Sequence, residues 1–193
     1  DEYAKRYLPE DTARFAYLLS RLKKSMTGLL CYLRDEQRQS SFKPVACELK
    51  IGRGEDAVPG QVYRLSDGRT VQLVGTVDRA DEWIEDDGTR WVRVVDYKTG
   101  APHLEFDGVE SLFTGTGKQR LSNILQTLLY AMMLHRSRGC DVEPALYYVR
   151  NMNRPGYSPQ LDDKQTGVKG ARYTLYRERF EELLRAQLAE LYD

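Results

Sequence analysis

Three acid-x-Lys triplets occur in this chain of 193 residues: Glu48-Leu49-Lys50, Asp96-Tyr97-Lys98 and Asp162-Asp163-Lys164. About one is expected by chance at this composition, so context has to choose among them. The second lies in Arg93-Val94-Val95-Asp96-Tyr97-Lys98-Thr99-Gly100, a strand-like run. A strand turns alternate residues to opposite faces, so Asp96 and Lys98 share one face while Val95 and Tyr97 take the other. An acid and an amine side by side at a strand end suit a metal-binding carboxylate next to a cation, both facing one reacting phosphate. The third triplet sits in a polar stretch and reads as noise.

Upstream stands Val74-Gly75-Thr76-Val77-Asp78-Arg79-Ala80-Asp81, a strand ending in its own acids. A turn made of Asp86-Asp87-Gly88, with glycine in the positive-φ position, joins the two strands. That turn sets the register. Asp78 falls opposite Asp96, and Trp83 falls opposite Trp91 on the reverse face. Directly opposed residues lie about 4.5–5.5 Å apart, and two like charges there repel unless a proton or a divalent cation intervenes. Hard oxygen donors suit Mg2+ or Mn2+. The plainer alternative is an exposed hairpin end whose aspartates are solvated or pair with Arg79. The expectation is that Asp78, Asp96 and Lys98 share a sheet face, with Trp83 and Trp91 behind them.

The elements that must hold these groups are readable from periodicity. Residues 12–34 place Phe15, Leu18, Leu22, Met26, Leu29 and Leu33 at helical spacing, and this leucine stripe is expected in the core. Ser40-Ser41 and Pro44 end that helix. Strands are expected over 45–51, 61–65, 70–84 and 90–98, with turns at Ser66-Asp67-Gly68 and Asp86-Asp87-Gly88. Residues 119–136 return to helical spacing, a strand runs over 145–150, and a polar Pro/Gly-rich loop spans 153–170. A last helix starts near Arg177. This order makes one α/β domain over 1–193, with a central mixed, largely antiparallel sheet flanked by helices.

Composition removes whole classes of function. The 29 basic and 29 acidic side chains cancel, which excludes a uniformly basic nucleic-acid coat. The charge is uneven, however: residues 46–110 carry a net of −6 between two flanks of +3. No apolar run reaches the roughly 18–20 residues of a membrane span, so no membrane partner is expected. Cys31, Cys47 and Cys140 include no CxxC pair, so neither a disulfide framework nor a zinc knuckle is encoded. The chain opens at Asp1 without a signal peptide and reads as a piece of a longer cytoplasmic protein. Gly115-Thr116-Gly117-Lys118 is no P-loop, because Leu112 and Gln119 stand where glycine and a hydroxyl are needed. Lys118 and Arg120 are candidates to face a DNA backbone.

The ordered series Gly75-Thr76-Val77-Asp78-Arg79-Ala80-Asp81, Asp96-Tyr97-Lys98-Thr99-Gly100 and Gln126-x-x-x-Tyr130 resembles the PD-(D/E)XK nuclease superfamily. Within it the likeness is to the RecB-like branch. The lead-in Phe42-Lys43-Pro44-Val45-Ala46-Cys47-Glu48 is similar to that of AddB-type helicase–nuclease subunits, at their C-terminal nuclease domain. The resemblance covers about residues 12–150. It implies a restriction-endonuclease-like core and a magnesium- or manganese-dependent deoxyribonuclease, an exonuclease, of bacterial DNA recombination and repair. Its partners would be single-stranded or tailed DNA and a helicase–nuclease subunit in the bacterial cytoplasm. By position, Asp78, Asp96, the Tyr97 carbonyl and Glu48 would be metal ligands, Lys98 the catalytic lysine, and Gln126 with Tyr130 the motif that supports the site. Two departures stand out. The histidine that RecB-type relatives place before the first strand is absent, since His103 and His135 both lie downstream. The four-cysteine iron–sulfur site of AddB-type subunits is not encoded here either. A catalytically inactive DNA-binding or docking module with the same fold is the alternative, and a metal-dependent hydrolase acting on something other than DNA is a third reading.

Overall fold

The computed structural model of the chain describes residues 12–114, 121–152 and 154–192, so Lys118 and Arg120 lie outside the described residues. In chain order the elements are α1 (Thr12–Gln39), β1 (Lys43–Ile51), β2 (Gln61–Arg64), β3 (Thr70–Leu73), β4 (Gly75–Ile84) and β5 (Arg90–Lys98). After these come β6 (Glu105–Phe106), α2 (Ser111–Thr114), α3 (Ser122–Arg138), β7 (Asp141–Tyr148), β8 (Asp162–Asp163) and β9 (Val168–Lys169). A 3-10 turn (Tyr173–Leu175) leads into α4 (Arg177–Tyr192). The main sheet has the order β1-β4-β5-β7, antiparallel except for the parallel β5–β7 pair. Among the described residues no helix is long and apolar enough to cross a membrane.

β5 is buried on both faces because helices cover both sides of it. Val92 and Val94 join Val142 and Leu146 of β7 against Ile124, Leu128 and Met132 of α3 and Phe180 of α4. Val95 turns the other way and packs with Ala145, Tyr147 and Met152 against Leu29 and Leu33 of α1. Each such aliphatic side chain contributes roughly 1.5–3 kcal/mol by leaving water. A parallel neighbour requires a crossover, and α3 supplies it, closing on Gly139 at φ 65, whose N–H bonds the His135 carbonyl at 2.8 Å. β7 begins at Asp141, earlier than position 145, because it pairs along the whole of β5. Pro144 obscures that start. It is tolerated because β7 is the outer strand of this sheet, where one ladder donor can be missing.

Three other elements differ from their sequence pattern. The strand expected over 70–84 is two, parted at Val74: β3 pairs only with β2, and β4 joins the main sheet. The leucine stripe of α1 is not core. Leu18 is 55% and Leu22 58% exposed. At 1.5 Å per residue α1 is about 42 Å long, and of its described apolar side chains Leu29, Tyr32 and Leu33, near its C-terminal end, pack on the sheet.

The polar loop over 153–170 is also more ordered than its composition implies, since β8 and β9 form a small sheet with β6. Its hub is Asp163, a member of the triplet that reads as noise in the sequence, yet only 1% exposed. Its carboxylate accepts hydrogen bonds from the Gly108 and Gln165 amides, the Thr166 hydroxyl and the Tyr176 phenol. Burial pushes this carboxyl up, but those donors outweigh burial and hold it below the usual range. A depressed acid stabilises the fold above its ordinary pKa, and that share is lost as pH falls through its lowered value. Asp163→Ala is therefore expected to cost about 2–4 kcal/mol at neutral pH, because it strands two backbone donors. Denaturant melts should show the deficit closing towards acid pH, and a neutral-pH deficit below about 0.5 kcal/mol would contradict this role.

Candidate active site

β4 and β5 pair in the register that the Asp86-Asp87-Gly88 turn requires. Trp83 faces Trp91 with the rings stacked at 6.2 Å, and the last paired residues are Arg79 and Val95. Gly88 takes φ 86 in the turn. Beyond Arg79 the two strands part. The Tyr97 amide, left without a partner on β4, is satisfied instead by the Asp78 side chain, N to Oδ2 2.8 Å. Asp78 and Asp96 thus stand at the point where the ladder opens.

Asp96 is 4% exposed, and its buried Oδ2 accepts no hydrogen bond. Lys98 Nζ lies 2.6 Å from that oxygen as an ion pair, out of line for a hydrogen bond. Burial pushes the Asp96 carboxyl up, Lys98 draws it back, and the negative Asp78 raises it again, leaving it above the usual range. Lys98 Nζ also donates to Gln126 Oε1 at 3.1 Å, and Gln126 Nε2 donates to the Tyr130 hydroxyl at 3.1 Å. Those two residues are four apart on α3, one turn of one face. Tyr130 in turn lies on the start of β4, where a Cβ added at Gly75 would meet its Cε1 at 2.5 Å. The series Asp96–Lys98–Gln126–Tyr130–Gly75 ties the two strands to α3.

This contact makes Gly75 a sharp test of the bracing. Gly75→Ala is expected to force the Tyr130 ring off its seat at about 1–3 kcal/mol, the usual range for overpacking. Adding Tyr130→Leu should recover most of that loss in a thermal-melt cycle. Independent, additive losses would show that ring and glycine do not press on each other.

Two carboxylates and the Tyr97 carbonyl are hard oxygen donors of the kind that Mg2+ or Mn2+ accepts, and the like charge of Asp78, which raises the Asp96 carboxyl, is what such an ion would offset, although Lys98 already pairs with Asp96 Oδ2. Glu48 is not gathered with them. Its neighbours Cys47 and Leu49 pair with Arg79 and Val77, which sets Glu48 beside Asp78 along the ladder. Its backbone, however, is left-handed at φ 51 and its side chain is exposed. Among the described residues no group of three or more His, Cys, Asp or Glu side chains is poised to hold a metal ion.

Behind the acids lies a buried charge cluster that pattern reading missed. Arg79 Nη2 and Nε meet Asp81, each at 2.8 Å, and Nη1 donates to the Tyr97 hydroxyl at 2.7 Å. Glu36 of α1 lies 3.5 Å from Arg79 and 3.1 Å from Arg93, and Arg93 bonds Glu143 at 2.6 Å. The Tyr147 hydroxyl donates to Glu36. Burial, then the Glu36 charge, pushes that phenol far up. Arg79 and Tyr97 each adjoin a front-face acid in sequence, so their bond clamps β4 to β5 directly behind the opening. Alternation in Asp78-Arg79-Ala80-Asp81 was the legible sign of a rear face; Glu36 left no sign.

The family model of the PD-(D/E)XK nuclease superfamily matches residues 1–193. The chain belongs to that superfamily. Among the similar proteins, an ATP-dependent helicase/deoxyribonuclease subunit from Clostridioides difficile (strain 630) is 33% identical over 161 residues, 82% of this chain and 13% of that protein. The like-named protein from Desulforudis audaxviator (strain MP104C) is 33% identical over 147 residues, 76% of this chain and 12% of its own length. That of Lacticaseibacillus paracasei (strain ATCC 334) is 40% identical over 90 residues, 46% of this chain and 8% of that protein. This PD-(D/E)XK chain therefore spans 13% or less of the length of these relatives.

Proposed function

We propose that this PD-(D/E)XK chain is a single nuclease domain of a helicase–nuclease polypeptide and hydrolyses DNA phosphodiester bonds with a bound Mg2+ or Mn2+. The observation that carries this reading is the meeting of Asp78, Asp96 and Lys98 where β4 and β5 part. Asp78, Asp96 and the Tyr97 carbonyl would hold the cation, which supplies Lewis-acid neutralisation of charge at the scissile phosphate. Lys98 keeps its ammonium beside Asp96. An ammonium has donors and no lone pair, so it acts on the charge that grows on the phosphate oxygens in the transition state. Gln126 fixes the direction of that ammonium, and Tyr130 fixes Gln126.

The purified protein should cleave labelled single-stranded or tailed DNA with Mg2+ or Mn2+ and stop on chelation. Asp78→Asn and Asp96→Asn should each lose at least about a hundredfold in rate while melting as folded proteins. Among the described residues the site gathers two acidic side chains and no third, which favours one rival, a DNA-binding module without cleavage. Binding with no cleavage under either metal would establish that rival.

A further inference from the structure

A pocket of about 280 Å³ opens directly beside the supporting motif, and Gln126 and Tyr130 line it. Its other walls include Leu73, Val74, Leu125 and Leu129. It is small beside the ~300–1,000 Å³ of pockets that take drug-sized ligands. Val74, in the break between β3 and β4, is 37% exposed and serves neither sheet. We propose that this pocket seats one unpaired nucleobase of the strand being cut, next to the phosphate that faces Lys98. The proposal rests on the nuclease reading and adds to it a seat for one base of the strand.

Three observations lead there. First, the pocket and the candidate site share a side chain. Gln126 Oε1 accepts from Lys98, while the same residue lines the cavity, so an occupant lies about one side chain from Lys98. A nucleotide has the matching layout, with a charged phosphate and a base one sugar away. Second, the walls are largely aliphatic, with the Gln126 amide and the Tyr130 phenol among them. A base offers an apolar face and a polar edge, and such seating tolerates any sequence because every base has that face. Third, a paired and stacked base cannot enter a cavity of this kind without leaving its helix, at a few kcal/mol for unstacking and unpairing. Single strands and frayed ends avoid that penalty.

The test uses the Asp96→Asn protein, expected to hold DNA without cutting it, and a short single-stranded oligonucleotide with Mg2+. Because a seat that accepts any base lets a strand with one abasic unit shift its register, an oligonucleotide made wholly of abasic tetrahydrofuran units is compared with the intact strand and should bind about tenfold more weakly. Adding Val74→Trp, which fills the pocket from its exposed side, should weaken binding of the intact strand about tenfold. It should also erase the difference between intact and abasic strands. Leu125→Trp, from the helix side, should do the same if Val74→Trp melts as an unfolded protein. Equal affinity for intact and abasic strands, or unchanged binding by the filled variants, overturns the base pocket. In that event cleavage by the unsubstituted protein would leave the nuclease reading standing. If the unsubstituted protein neither binds nor cuts DNA, the nuclease reading fails first and takes the pocket with it.

Discussion

Lys98→Ala is expected to lower metal-dependent DNA cleavage by about 10³-fold in a protein that still melts cooperatively, at a lower temperature because buried Asp96 loses its counter-charge. The magnitude is that of removing one preorganised donor from a developing negative charge, typically about 10²–10³ in rate. The side chain is partly exposed at 22%, so its removal opens no core cavity. Lys98→Met should lose as much, because it keeps the stem and removes the charge. Lys98→Arg should not rescue, since a planar fork cannot replace a compact ammonium aimed at once towards Asp96 and Gln126. Gln126→Ala is the internal control. It takes away the partner that directs Nζ and leaves the charge, so a loss of about tenfold is expected. Lys98→Ala activity within tenfold of the unsubstituted protein would remove this lysine from the chemistry.

What could be read beforehand divides along a physical line. The β4–β5 register was legible because a three-residue turn with glycine at positive φ leaves one way to pair the strands. Face assignment followed from alternation, so the meeting of Asp96 with Lys98 was legible too. Partners across the fold were not. Glu36 reaches Arg79, Arg93 and Tyr147, up to 111 residues away, and nothing in its local pattern marks it as their partner. Asp163 reads as noise in a polar stretch because two of its four donors, Gly108 and Tyr176, come from outside its own segment. The stripe of α1 showed which residues share a helix face, but a stripe does not say whether anything lies opposite.

Arg79→Met is expected to be the most destabilising single change in this part of the molecule, costing about 3–5 kcal/mol. Removing one partner of a buried ion pair leaves the other charge without compensation. Here that charge is Asp81, 0% exposed and bound to Arg79 by both nitrogens. Burial already pushes the Asp81 carboxyl above its usual range despite the arginine beside it. The arginine cannot shed its proton, so the strain of burial falls on the acid. An acid with a raised folded pKa stabilises the fold at low pH, and that share is lost as pH rises through the raised value. Without Arg79 the value rises further, so the deficit of Arg79→Met should be largest near neutrality and shrink as pH falls. Pairing it with Asp81→Leu should restore most of the stability, since apolar replacements of a buried pair are often neutral or better. Cleavage should not return with it. The Arg79–Tyr97 bond that clamps the strands behind Asp78 and Asp96 is still missing in the double variant. Recovered stability with activity still reduced would separate the clamp's positioning role from its part in folding. Full recovery of both would mean that the strands hold the acids in place without it.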